Sequence, residues 1–102
     1  MVIDTNQVKT IINERKKIHP DDPSTKIKWQ ELIDVFTKNE DDTIHCLVNC
    51  DKEDIEWISE VFEDISEKLQ SKKFIECIEL LQKKYPELDL KTDVDFAKEA
   101  MK

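Results

Sequence analysis

Apolar residues recur along this chain at intervals of three and four rather than at alternate positions, the spacing of helices that bury one face. Val8, Ile11, Ile12 and Arg15 form the first such face, following Asp4 and Thr5, either of which suits a helix N-cap. The basic run Arg15-Lys16-Lys17 complements a helix C-terminus. His19-Pro20-Asp21-Asp22-Pro23-Ser24 then reads as a loop, because proline cannot continue a helix. A second helix fits residues 25–38, with Trp29, Leu32, Ile33 and Phe36 on one side, and residues 39–43 open a short helix carrying Ile44, Leu47 and Val48.

The clearest pattern follows. Asp51 stands as an N-cap with Asp54 three residues on, and Ile55, Ile58, Phe62, Ile65 and Leu69 recur in steps of 3, 4, 3 and 4. That seam predicts one unbroken helix over 52–70. Ser71 caps a further helix whose face is Phe74, Ile75, Ile78, Leu81 and Tyr85, ended by Pro86. Thr92 caps a last short helix with Val94, Ala97, Ala100 and Met101. Only Leu88-Asp89-Leu90 alternates, too briefly for a sheet. The expected fold is all-α: a compact bundle of five to six short helices, or alternatively stacked helical hairpins. No linker, repeat or low-complexity run divides residues 1–102, so a single helical domain is expected.

Composition narrows the chemistry. At 102 residues there is room for one core, and the chain contains no glycine. Dinucleotide-binding turns, phosphate-cradling loops, EF-hand loops and nucleophile elbows all depend on that residue and are excluded. Charged residues reach 39%, with a formal net charge of −8. Residues 1–39 and 68–102 each carry a net +1, whereas residues 40–67 hold eleven acids against one base, Lys52. A local field of that sign repels phosphate backbones and steers basic partners. Direct nucleic-acid binding is therefore not expected.

On a helical wheel of the predicted 52–70 helix, Glu56, Glu60, Glu63 and Glu67 fall within about 80–140°, opposite an apolar seam centred near 300°. No lysine intervenes until Lys68, so like charges repel along the stripe without compensation. An uncompensated local cost of this kind points to a binding role, although a solvated face has the same composition. Trp57 lies between the stripe and the seam, near Glu53 and Asp64. A half-exposed tryptophan among carboxylates suits a lysine- or arginine-rich partner, and a tryptophan packed beneath a neighbouring helix is the alternative. The candidate partner-binding set is thus Glu53, Glu56, Trp57, Glu60, Glu63, Asp64 and Glu67.

Other chemistry finds little support. Acid catalysis needs a carboxyl inside a cleft, and these crowd a face expected to be wet. Neither His19 nor His45 follows a glutamate at the spacing of di-iron bundles. His45, Cys46, Cys50 and distant Cys77 form the one metal-like set, yet without a paired-cysteine knuckle, and such cysteines more often pack as small hydrophobes. No catalytic residue, cofactor or metal site is expected, and the protein is read as a non-enzyme. The stretch MVIDTNQVKT lacks the basic start and apolar run of a signal peptide, no segment is apolar for long enough to cross a bilayer, and reduced thiols in the cytoplasm follow.

The run DIEWISEVFEDISEKLQSKKFIECIELLQKKYP, residues 54–86, resembles small acidic helical immunity proteins encoded beside bacterial polymorphic and contact-dependent growth-inhibition toxins. The resemblance extends from about Leu32 to Pro86. It implies a cognate toxin domain, a basic nuclease and a ribonuclease ahead of a deoxyribonuclease, bound tightly enough to block its active site. Immunity proteins share no signature motif, so it assigns no residue a role. The expected function is stoichiometric inhibition by an acidic helix face. The rival is a helical adaptor or self-associating module, and a small metal-dependent hydrolase stands third.

Overall fold

A computed structural model describes residues 3–102; the first two residues, part of the stretch read above for a signal peptide, lie outside it. The described chain is helical throughout and contains no strand. Helix α1 spans Thr5–Lys16, α2 Ser24–Phe36, α3 Glu40–Asn49, α4 Lys52–Ile58, α5 Phe62–Leu69, α6 Lys72–Lys84 and α7 Lys91–Glu99. One 3-10 turn, Ser59–Val61, joins α4 to α5, and another, Pro86–Leu88, precedes α7. Counting α4, its turn and α5 as one bent element leaves six, the bundle of short helices expected from the pattern.

The helices start where side chains satisfy their first amide groups. Asp4 accepts from the backbone N–H of Asn6 at 2.9 Å and of Gln7 at 3.4 Å. Asn39 does the same for Asp42, and Ser71 for Phe74, each at 3.0 Å. The buried Ser71 hydroxyl also donates to Glu40, tying the start of α6 to the start of α3. Thr43, fully buried, donates from Oγ1 to the Phe36 carbonyl at 2.6 Å and so fastens α3 beneath the end of α2.

Two expected caps are used differently. Asp51 makes no cap hydrogen bond; its carboxylate faces Lys9 at 3.2 Å. The last helix begins at Lys91, before Thr92, because the buried Leu90 must plug the core and the chain reaches it through a left-handed Asp89 (φ 51°).

The predicted 52–70 helix is also interrupted. The buried Ser59 turns its hydroxyl onto the Glu56 carbonyl at 2.6 Å, a local bond that competes with the helical ladder. The ladder tightens to 3-10 geometry, and Val61 takes φ −116°, ψ 12°. Each residue of such a turn advances about 120° rather than 100°, so the turn rotates α5 by roughly 60° relative to an uninterrupted helix. Ile55, Ile58, Val61, Phe62 and Ile65 nevertheless all reach the interior.

Packing draws these faces into one buried cluster. Phe62 of α5 meets Phe74 of α6 edge to face, with centroids 6.0 Å apart and planes at 89°. The long contact between α5 and α7 is pinned by Ser66, whose buried hydroxyl donates to the Ala97 carbonyl at 2.6 Å. Without glycine, α5 ends on Gln70 in the left-handed region (φ 49°). Its side-chain amide donates to the Glu67 and Ala100 carbonyls at 2.8 and 2.9 Å, which offsets the backbone strain and locks the ends of α5 and α7 together.

Candidate functional site: an acidic face behind an arginine clasp

The most elaborate polar assembly joins α1, α2 and the α4–α5 turn. Arg15 occupies an apolar-seam position of α1 and is 4% exposed. Its Nε and Nη2 donate to the two carboxylate oxygens of Glu60 at 3.0 and 2.8 Å, and Nη1 donates to the Ile18 carbonyl at 3.3 Å. Trp29 Nε1 donates to the same carboxylate at 3.1 Å. The guanidinium carbon stands 5.1 Å from the centroid of the Trp57 ring and 5.9 Å from that of Trp29. Two indoles, a bidentate ion pair and a backbone carbonyl thus satisfy one buried cation.

This arrangement redraws the expected stripe. Glu60, read as part of a free acidic row, is turned inward onto Arg15 with its side chain 28% exposed. Trp57, read as a receptor for a partner's cation, is half-buried beside the chain's own arginine. Glu53 is exposed and paired with Lys16. Because the turn breaks the wheel, Glu56 lies on α4, while Glu63, Asp64 and Glu67 lie on α5. These four are exposed, and none of their carboxylates forms an ion pair or hydrogen bond with another described residue. The α5 group clusters tightly, since Glu63 and Glu67 are one turn apart and Asp64 adjoins them.

Sequence spacing alone did not disclose Arg15 and Trp29 as parts of this assembly. The available signal was Arg15 itself, a charge placed in register with Val8, Ile11 and Ile12; its partner Glu60 lies 45 residues away. Lys9 was missed similarly. It bridges Asp51 and the buried Asp54, at 3.2 and 2.8 Å, and the hydrogen bond it donates to Asp54, seconded by the one it donates to Asp51, holds its ammonium above the usual lysine range. Arg15, Lys9 and Lys16 together place three cations of α1 against α4 and the turn that follows it.

The histidines and cysteines do not converge. His45 is exposed, Cys77 is buried on α6, and Cys46 and Cys50 face each other at the end of α3. Among the described residues no three His, Cys, Asp or Glu side chains gather closely enough to hold a metal ion, and no helix is long and apolar enough to cross a membrane. No family model, curated protein or solved structure matches the chain.

Proposed function

We propose that this protein is a stoichiometric inhibitor, an immunity protein that neutralises a basic nuclease domain, a ribonuclease ahead of a deoxyribonuclease, within the cytoplasm. The observation that carries the reading is the unanswered charge of Glu56, Glu63, Asp64 and Glu67, beside a clasp that has already consumed Glu60. Four exposed carboxylates without cations suit a surface rich in lysine and arginine, such as the walls of a phosphate-binding cleft. Docked there, they would pair with the groups that grip the nucleic-acid backbone and exclude substrate by occupancy. The resemblance of residues 54–86 to immunity proteins supports the same reading. Arg15, Trp29 and Trp57 act behind the surface by holding α4 and the turn that leads to α5.

The test compares wild type with the Glu56→Gln/Glu63→Gln/Glu67→Gln variant, which spares Glu60. A basic nuclease captured from the source cell's lysate should lose activity at a one-to-one ratio with wild type. Association with the variant should be slower by about tenfold at low salt, and the two rates should converge at about 0.5 M salt, where the screening length falls to a few ångströms. A captured partner that is not a nuclease, or rates indifferent to both salt and the glutamines, would refute the proposal.

A second reading, self-association, rests on Leu80 of α6 and Phe96 of α7, which are 65% and 47% exposed. A shallow groove lined by Ile75 and Met101 also opens between those helices. A salt-insensitive dimer in sedimentation, abolished by Leu80→Glu, would favour it.

A further inference from the structure

At the C-terminal end of α3 the Cys46 and Cys50 sulfurs lie 3.8 Å apart, and both line a pocket of about 150 Å³ with Thr5, Lys9, Asp51 and Asp54. Two features separate this pair from ordinary core cysteines. Both residues line the pocket, Cys46 buried and Cys50 half-buried, whereas the buried Cys77 on α6 does not line it. Cys50 is also the residue after the last helical turn, with extended backbone (φ −75°, ψ 151°), and its N–H reaches only the Leu47 carbonyl at 3.3 Å. It is free to shift where a residue inside the helix is not. Residues four apart on a helix have Cβ atoms about 5–6 Å apart, and a disulfide needs about 3.5–4.5 Å. Closing that gap requires a movement of one or two ångströms at a cap that can supply it.

We propose that Cys46 and Cys50 form a dithiol site that exchanges with small-molecule disulfides and closes to an intramolecular disulfide at the α3–α4 junction. The Cys46 thiolate attacks one sulfur of the incoming disulfide; that S–S bond breaks, and one small thiolate departs and takes up the proton released by Cys46. Cys50, deprotonated in turn, attacks the Cys46 sulfur of the mixed disulfide and expels the second small thiol. Two protein thiols are oxidised, and one disulfide is reduced to two thiols. The sulfur–sulfur hydrogen bond with Cys50 favours the Cys46 thiolate and holds the Cys46 thiol below the usual range, while the same bond and burial push Cys50 up. Lys9, lining the same pocket, counters part of that rise. The acids facing the pair, Asp51 and Asp54, are both held by Lys9. Since Asp51 directly follows Cys50, closure shifts the residue that leads into α4.

The experiment equilibrates the Cys77→Ala protein with oxidised glutathione, quenches in acid, denatures, alkylates and maps peptides by mass spectrometry. The expected product loses both alkylation sites and carries a Cys46–Cys50 link lighter by two hydrogens. Cys50→Ser should accumulate a glutathione adduct on Cys46, the trapped first intermediate, and dithiothreitol should release it. Circular dichroism confirms that each variant remains helical. Full alkylation of Cys46 and Cys50 after exposure to the oxidant, or disulfides formed only between molecules, would overturn the proposal.

Discussion

Arg15 stands where the helical pattern of α1 calls for an apolar side chain, and the surrounding chain answers it group by group. Glu60 supplies two acceptors, Ile18 a carbonyl, and Trp29 and Trp57 their rings. Removing one member of such a pair costs more than the pair contributes, since the buried partner is left uncompensated. Glu60→Gln keeps the shape but not the charge, so it should destabilise by about 2–4 kcal/mol in urea denaturation. The same change at exposed Glu56 should be within about 0.5 kcal/mol of wild type. Equal effects at the two positions would mean that Glu60 is as solvated as its neighbour. Glu60 and Glu56 are indistinguishable on a helical wheel, and only a contact spanning 45 residues separates them.

At the scale of elements, most helices were legible because their signals are local. The caps at Asp4, Asn39 and Ser71, the prolines at 20, 23 and 86, and the apolar spacing place six of the boundaries within a residue or two. What escaped the pattern depended on tertiary pull. The seam from Ile55 to Leu69 is regular enough to hide the turn at Ser59–Val61, which exists because Ser59 bonds backward and Glu60 is drawn to Arg15. Asp51 has the right identity for a cap, but Lys9 claims its carboxylate. These two caps give a direct comparison. Ser71→Ala loses both the Phe74 amide bond and the link to Glu40 and should cost about 1–2 kcal/mol. Asp51→Ala forfeits only an exposed ion pair, so its thermal transition should move little by comparison.

For the molecule as a whole, folding answers much of the charge imbalance evident in the sequence. Lys9, Arg15 and Lys16 neutralise Asp54, Glu60 and Glu53 from across the chain, leaving the carboxylates of Glu56 and of Glu63, Asp64 and Glu67 on α5 without a cation. A surface kept this way costs stability through self-repulsion. The triple glutamine variant removes three charges, taking the formal net from −8 to −5. It should therefore melt higher, by about 0.5 kcal/mol or roughly 2–4 °C for a domain of this size, even as it binds more slowly. A lower melting temperature would show these glutamates to be structural.

The chain contains two tryptophans, and both lie against the same guanidinium. The protein's own ultraviolet emission is consequently a local gauge. It reports whether α1, α2 and the α4–α5 turn are held together, and is largely blind to the distant ends of α6 and α7. Light from those indoles, set beside circular dichroism of the helices, distinguishes loosening of this one corner from melting of the entire bundle without any added dye.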